Sequence, residues 1–94
     1  MLQRIVKMTF RPECVEDFER IFEERRELIS SFEGCAGVVL LRDIDNPNIY
    51  FTYSRWKDVD SLEHYRNSEL FNDTWALVKP LFGGKPEAWS VREI

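Results

Sequence analysis

Two neighbouring stretches, Val38-Val39-Leu40-Leu41 and Tyr50-Phe51-Thr52-Tyr53-Ser54-Arg55-Trp56, carry large apolar side chains at odd and even positions alike. Successive side chains of a strand point to opposite faces, so both runs are apolar on two sides and call for burial on two sides. A turn signal, Asp45-Asn46-Pro47-Asn48, lies between them and predicts a hairpin joining Val38–Asp43 to Ile49–Trp56. In the second strand Tyr50, Thr52, Ser54 and Trp56 face one way, and Phe51, Tyr53 and Arg55 the other.

The remaining elements limit what can cover those faces. Leu2–Phe10 reads as a strand, with Val6, Met8 and Phe10 on one face and Ile5, Lys7 and Thr9 on the other. From Cys14 to Phe32 the apolar residues Val15, Phe18, Ile21, Phe22, Leu28, Ile29 and Phe32 follow helical spacing, and Glu33-Gly34 supplies a C-terminal cap. Asp58 is a good N-cap for a helix over Val59–Asn67, and Ser68 can cap a second that aligns Phe71, Trp75 and Val78. Pro80 and Gly83-Gly84 end it, and Pro86–Ile94 reads as a last strand.

The resulting order, β-α-β-β-α-β, predicts an α+β, ferredoxin-like fold with a four-stranded antiparallel sheet and its helices on one face. Residues 1–94 form one domain in this reading. Helices on one side leave the other side of the sheet apolar and bare, over an area larger than monomers usually expose. A symmetric homodimer, sheet against sheet, is therefore expected.

Composition removes several function classes. The net charge is −4, from 13 basic and 17 acidic residues, and the cations form no stripe along which phosphates could lie, so nucleic acid is not an expected partner. No apolar run approaches the roughly 20 residues of a membrane span. The alternating start MLQRIVKMTF does not read as a secretory signal, so a cytoplasmic protein is expected. Cys14 and Cys35 flank the long helix and should lie roughly 27 Å apart, too far for a disulfide. One His and two distant Cys cannot build a zinc site, and no Gly-rich loop runs from a strand into a helix, so neither a metal nor a cofactor is expected.

What chemistry there is should lie between Tyr50 and Trp75, which holds two of the three tryptophans and the only histidine. His64 reads either as an acid or base or as a half-exposed residue on a helix surface, about 100° around from Tyr65. Trp56 and Trp75 could wall a pocket for a small flat aromatic ligand or fill the core. Thr52 and Tyr65 complete the polar candidates, Tyr65 as a hydrogen-bond donor to a developing anion.

The spacing Trp56, Leu62, Tyr65, Ser68, Phe71 resembles a segment of the antibiotic biosynthesis monooxygenase family, in which Trp is followed six residues on by an apolar residue and then by His-x-x-Ser-x-x-Phe. Length and element order match across essentially the whole chain. The resemblance implies a dimeric α+β barrel with a pocket in each subunit between sheet and helices. It also implies one of two activities, cofactor-independent oxygenation of polycyclic aromatic phenols or quinols, or haem degradation. In the first, the deprotonated substrate reduces dioxygen itself, and the protein supplies shape, dryness and an ionising environment.

By position Trp56 matches the family's pocket tryptophan, and Phe71 its motif phenylalanine. Tyr65 stands where the family commonly has His, with His64 displaced by one, and Thr52 stands where monooxygenase members can carry Asn. Trp75 occupies the position of the iron-binding His of haem-degrading members, and Val6 falls near their strand-one Asn, so haem degradation is not expected. The expectation is thus a cofactor-independent monooxygenase of a quinol-type molecule, with His64 and Tyr65 as catalytic candidates and Thr52, Trp56, Phe71 and Trp75 against the substrate. The alternative is a non-catalytic binding or sensing module on the same dimeric scaffold. In a third reading Tyr65 and Trp75 fill the pocket and leave a structural domain.

Overall fold

β1 (Leu2–Thr9) runs through the middle of a sheet to which every other strand is joined directly or through one neighbour. The computed structural model describes residues 1–94. After β1 come α1 (Val15–Ser30), β2 (Cys35–Arg42), β3 (Ile49–Trp56), α2 (Val59–Arg66), α3 (Glu69–Val78) and β4 (Glu87–Val91). The strands are ordered β2-β3-β1-β4 and every pair is antiparallel, which is the ferredoxin-like α+β arrangement expected.

Local chemistry explains most boundaries. The Asp58 carboxylate accepts the Ser61 backbone N–H at 2.8 Å and starts α2; the Ser68 hydroxyl accepts that of Phe71 at 3.1 Å and starts α3. Helix α1 is shorter than its apolar periodicity implies. Pro12–Cys14 forms a separate 3-10 turn ahead of it, and the chain leaves the helix after Ser30. Leu28, counted among the inward positions by spacing, lies on the exposed side. β2 begins at Cys35 rather than Val38, because a bulge between Cys35 and Gly37, with Gly37 at φ +135°, carries the pairing through a break in alternation. β4 stops at Val91, short of Ile94.

Register sorts the strand side chains into rows. On the helix side lie Trp56–Leu2, then Val38–Ser54–Arg4–Ser90, then Leu40–Thr52–Val6–Ala88, then Arg42–Tyr50–Met8. Here Met8, Phe10, Phe18, Phe22, Ile29, Val38, Tyr50 and Val78 form the main core, and Leu2, Trp56 and Leu62 a second cluster. The other side of the sheet has no helix. Val39, Tyr53, Ile5 and Trp89 make one row across all four strands, and Val39, Leu41, Trp89 and Val91 remain 41–50% exposed. No helix is long and apolar enough to cross a membrane.

Candidate functional site

A cavity of about 370 Å³ opens between the helix side of the sheet and the helices, within the size range of small-molecule sites. Its floor is Arg4, Val6 and Met8 of β1, Thr52, Ser54 and Trp56 of β3, and Val38 of β2. Phe18, Phe22 and Ile29 of α1 close one end; Leu62, Tyr65 and Arg66 of α2 with Phe71, Thr74, Trp75 and Val78 of α3 form the roof; Pro86, Glu87 and Ala88 form the β4 rim. Thirteen of the 20 lining residues are hydrophobic, so the space suits an apolar body held by a few polar contacts.

Of the residues singled out from sequence, Thr52, Trp56, Tyr65, Phe71 and Trp75 all line this cavity. They come together because period two puts Thr52 and Trp56 on one face of β3, while the α2 and α3 caps set the phases that turn Tyr65, Phe71 and Trp75 toward it. Trp56 is the anchor. It is 1% exposed, its indole N–H donates to the Ser54 hydroxyl at 2.9 Å, and its ring stacks on Tyr65 with centroids 4.9 Å apart. Phe71 packs edge-on to Tyr65 at 5.3 Å and lies nearly parallel to Trp75 at 6.0 Å. Tyr65 and Trp75 therefore wall the space without closing it.

His64 lies outside. It is exposed on α2, with its ring 5.5 Å from that of Phe32, and does not line the cavity. Tyr65, one position on, takes the inward place. Burial, followed by the nearby Cys35, pushes the Tyr65 phenol up to about 12, so it carries its proton at neutral pH and acts there as a donor. Burial likewise raises the Cys35 thiol, and both cysteines are free.

Five polar lining residues were not among the candidates taken from sequence: Arg4, Ser54, Arg66, Thr74 and Glu87. Alternation alone would place Arg4 beside Val6 and Met8, and Ser54 beside Thr52 and Trp56. Thr74 is held from behind, its hydroxyl accepting from Arg25 Nη1 at 3.2 Å. No group of three or more His, Cys, Asp or Glu side chains is gathered to hold a metal ion.

A haem fits this donor set poorly. Histidine, thiolate, thioether and phenolate are the usual axial ligands of haem iron. The only histidine is outside, Tyr65 is kept protonated by burial, no Cys lines the space, and Met8 is 4% exposed within the core.

Comparison with known proteins finds the same fold in other chains. The family model for antibiotic biosynthesis monooxygenase matches residues 1–76. A conserved protein from Methanosarcina mazei superposes with a TM-score of 0.93 at 24% identity, covering 99% of this chain and 92% of that one. A candidate antibiotic biosynthesis monooxygenase from Bordetella bronchiseptica gives 0.89 at 29% identity, over 99% and 96% of the two chains. One from Nitrosomonas europaea gives 0.91 at 14% identity, over 100% and 99%. A curated relative from Natronomonas pharaonis, whose name proposes haem binding, is 26% identical over 78 residues, which is 83% of this chain. The chain spans only 13% of that relative's length.

Proposed function

The chain belongs to the antibiotic biosynthesis monooxygenase family, and from that premise we propose that it binds a flat, quinol-type aromatic molecule in the cavity and oxygenates it without metal or flavin. The observation that carries the reading is the cavity itself: an apolar space walled by Trp56, Tyr65, Phe71 and Trp75, open enough to admit a ring system. A phenolic ring that gives up its proton can reduce dioxygen directly. One oxygen atom enters the ring to leave a quinone, the other departs as water, and no outside reductant is needed. Phe71 and Trp75 hold the ring plane, while Tyr65 and Thr52 donate hydrogen bonds to the oxygen on which charge develops. Glu87, the one carboxylate at the rim, pairs with Lys7 in the open-side row of the sheet, so the phenolic proton passes to water at the mouth of the cavity.

The row Val39, Tyr53, Ile5 and Trp89, half-buried in its middle and exposed at both ends, supports a homodimer joined through the open side of the sheet. Two unbridged thiols, Cys14 and Cys35, suit a reducing cytoplasm. One observation favours a second reading, a binding or sensing module: the only histidine stands outside the cavity, so no imidazole reaches the ligand.

Oxygen uptake on menadiol, measured against the spontaneous rate, separates the two. For the enzyme, uptake exceeds buffer, Trp75→Ala removes the excess, and Tyr65→Phe lowers it about tenfold or more. Quenching of tryptophan fluorescence by the same compound with no excess uptake overturns the oxygenase and leaves the binding module.

A further inference from the structure

Arg4 is a half-buried arginine on the inward face of a central strand, at the edge of the cavity. It stands in register between Ser54 of β3 and Ser90 of β4. Its one hydrogen bond within the protein runs from Nη1 to the Ser90 hydroxyl at 3.0 Å, and none of the chain's ion pairs includes it. A guanidinium has five donors in a planar fork, so Nε and Nη2 are left without a protein acceptor.

Beside it, Ser54 is the chain's one buried polar residue, 7% exposed, and accepts from the Trp56 indole at 2.9 Å. Its own proton goes to no protein acceptor. Two adjacent groups of one row thus offer donors into the same cavity with nothing to receive them. Arg66, at the end of α2, lines the cavity too, and its positive charge bears on Arg4. Glu63 takes part of the Arg66 charge at 3.1 Å, and Glu87 stands exposed on the opposite rim.

We propose that Arg4 and Ser54 form an anion subsite, and that the ligand is an aromatic acid whose carboxylate lies on them while its rings extend past Val6 and Thr52 toward Trp75. This rests on the reading that the cavity takes a flat aromatic molecule. A carboxylate matches the free guanidinium edge with two parallel hydrogen bonds, which a neutral hydroxyl cannot do. Arg66 adds attraction from the mouth without being needed for the fit.

The test compares 3-hydroxy-2-naphthoate with 2-naphthol, the same ring system without the carboxylate, by quenching of tryptophan fluorescence. The wild-type chain is expected to bind the acid at least about tenfold more tightly. Arg4→Met should remove that preference, lowering affinity for the acid at least about tenfold more than affinity for 2-naphthol, Arg4→Lys should restore part of it, and Arg66→Gln should lower it less than Arg4→Met does. Equal affinities in the wild type overturn the subsite whether or not Arg4→Met folds. A variant that weakens both probes alike also overturns it, since Arg4 then acts on the shape of the cavity. If 2-naphthol binds and the acid is not preferred, the aromatic-ligand reading survives and the subsite falls; if neither probe quenches, both fall.

Discussion

Replacing Gly34 with Ala tests whether the turn between α1 and β2 is what seats α2 over the cavity. Gly34 has φ +86°, a left-handed conformation that costs a residue with a Cβ about 1–2 kcal/mol. A Cβ built there would lie 2.4 Å from both Cβ and Oγ of Ser61 on α2, a collision that one of the two segments must yield to. Overpacking of that kind costs about 1–3 kcal/mol, so the sum is about 2–5 kcal/mol. In a domain of 94 residues each kcal/mol moves the midpoint by about 4–8 °C, and Tm should fall by at least about 8 °C.

Function should suffer with it. The Gly34 carbonyl accepts the Lys57 N–H at 2.8 Å just ahead of α2, and α2 brings Leu62, Tyr65 and Arg66 to the cavity. Thermal unfolding followed by circular dichroism measures the loss. The double variant Gly34→Ala with Ser61→Gly removes the collision and keeps the backbone strain, so it should recover about 1–3 kcal/mol relative to the sum of the single effects. A Gly34→Ala chain within about 0.5 kcal/mol of wild type, or a double variant with no coupling, refutes the reasoning.

Three further outcomes follow from the same structure. Trp56→Ala should cost about 3–5 kcal/mol by urea unfolding, since a 1%-exposed indole leaves a large void and Ser54 loses its donor; a loss under about 1 kcal/mol would show that the anchor lies elsewhere. Tyr65 has a reference value of 10.0 and is pushed up to about 12, so the folded chain holds that proton more tightly than the unfolded chain does. Stability from this residue is therefore present below pH 10 and lost as pH rises from about 10 toward about 12; Tyr65→Phe should flatten the Tm curve in that window, and parallel curves would remove the effect. On the open side of the sheet, Trp89→Glu should turn a dimer into a monomer in sedimentation velocity at micromolar concentration, and a wild-type chain that is already monomeric there sinks the dimer.

Much of the fold was readable because its signals are local. Asp58 and Ser68 cap α2 and α3 with their own side chains, and Asp45-Asn46-Pro47-Asn48 turns the chain within four residues. Other boundaries depended on distant contacts. Gly37 continues β2 through a bulge only because Arg55 is there to pair with, and no pattern within residues 35–42 announces that. The aromatic walls of the cavity were legible through period two on β3 and helical spacing on α3. Choosing between His64 and Tyr65 needed the seating of α2, since neighbouring helix positions differ by about 100° and the sequence names both.

Sequence alone determined the element order, the two-sided sheet and the aromatic set, because alternation, helical periodicity and capping act over a few residues. Only the tertiary structure decided which of those aromatics leave a space between them, and that Arg4, Ser54 and Ser90, from three strands far apart in the chain, share one row beneath it. Register between strands is a long-range property, set by the packing of the whole sheet against its helices, and a run of residues read by itself does not contain it.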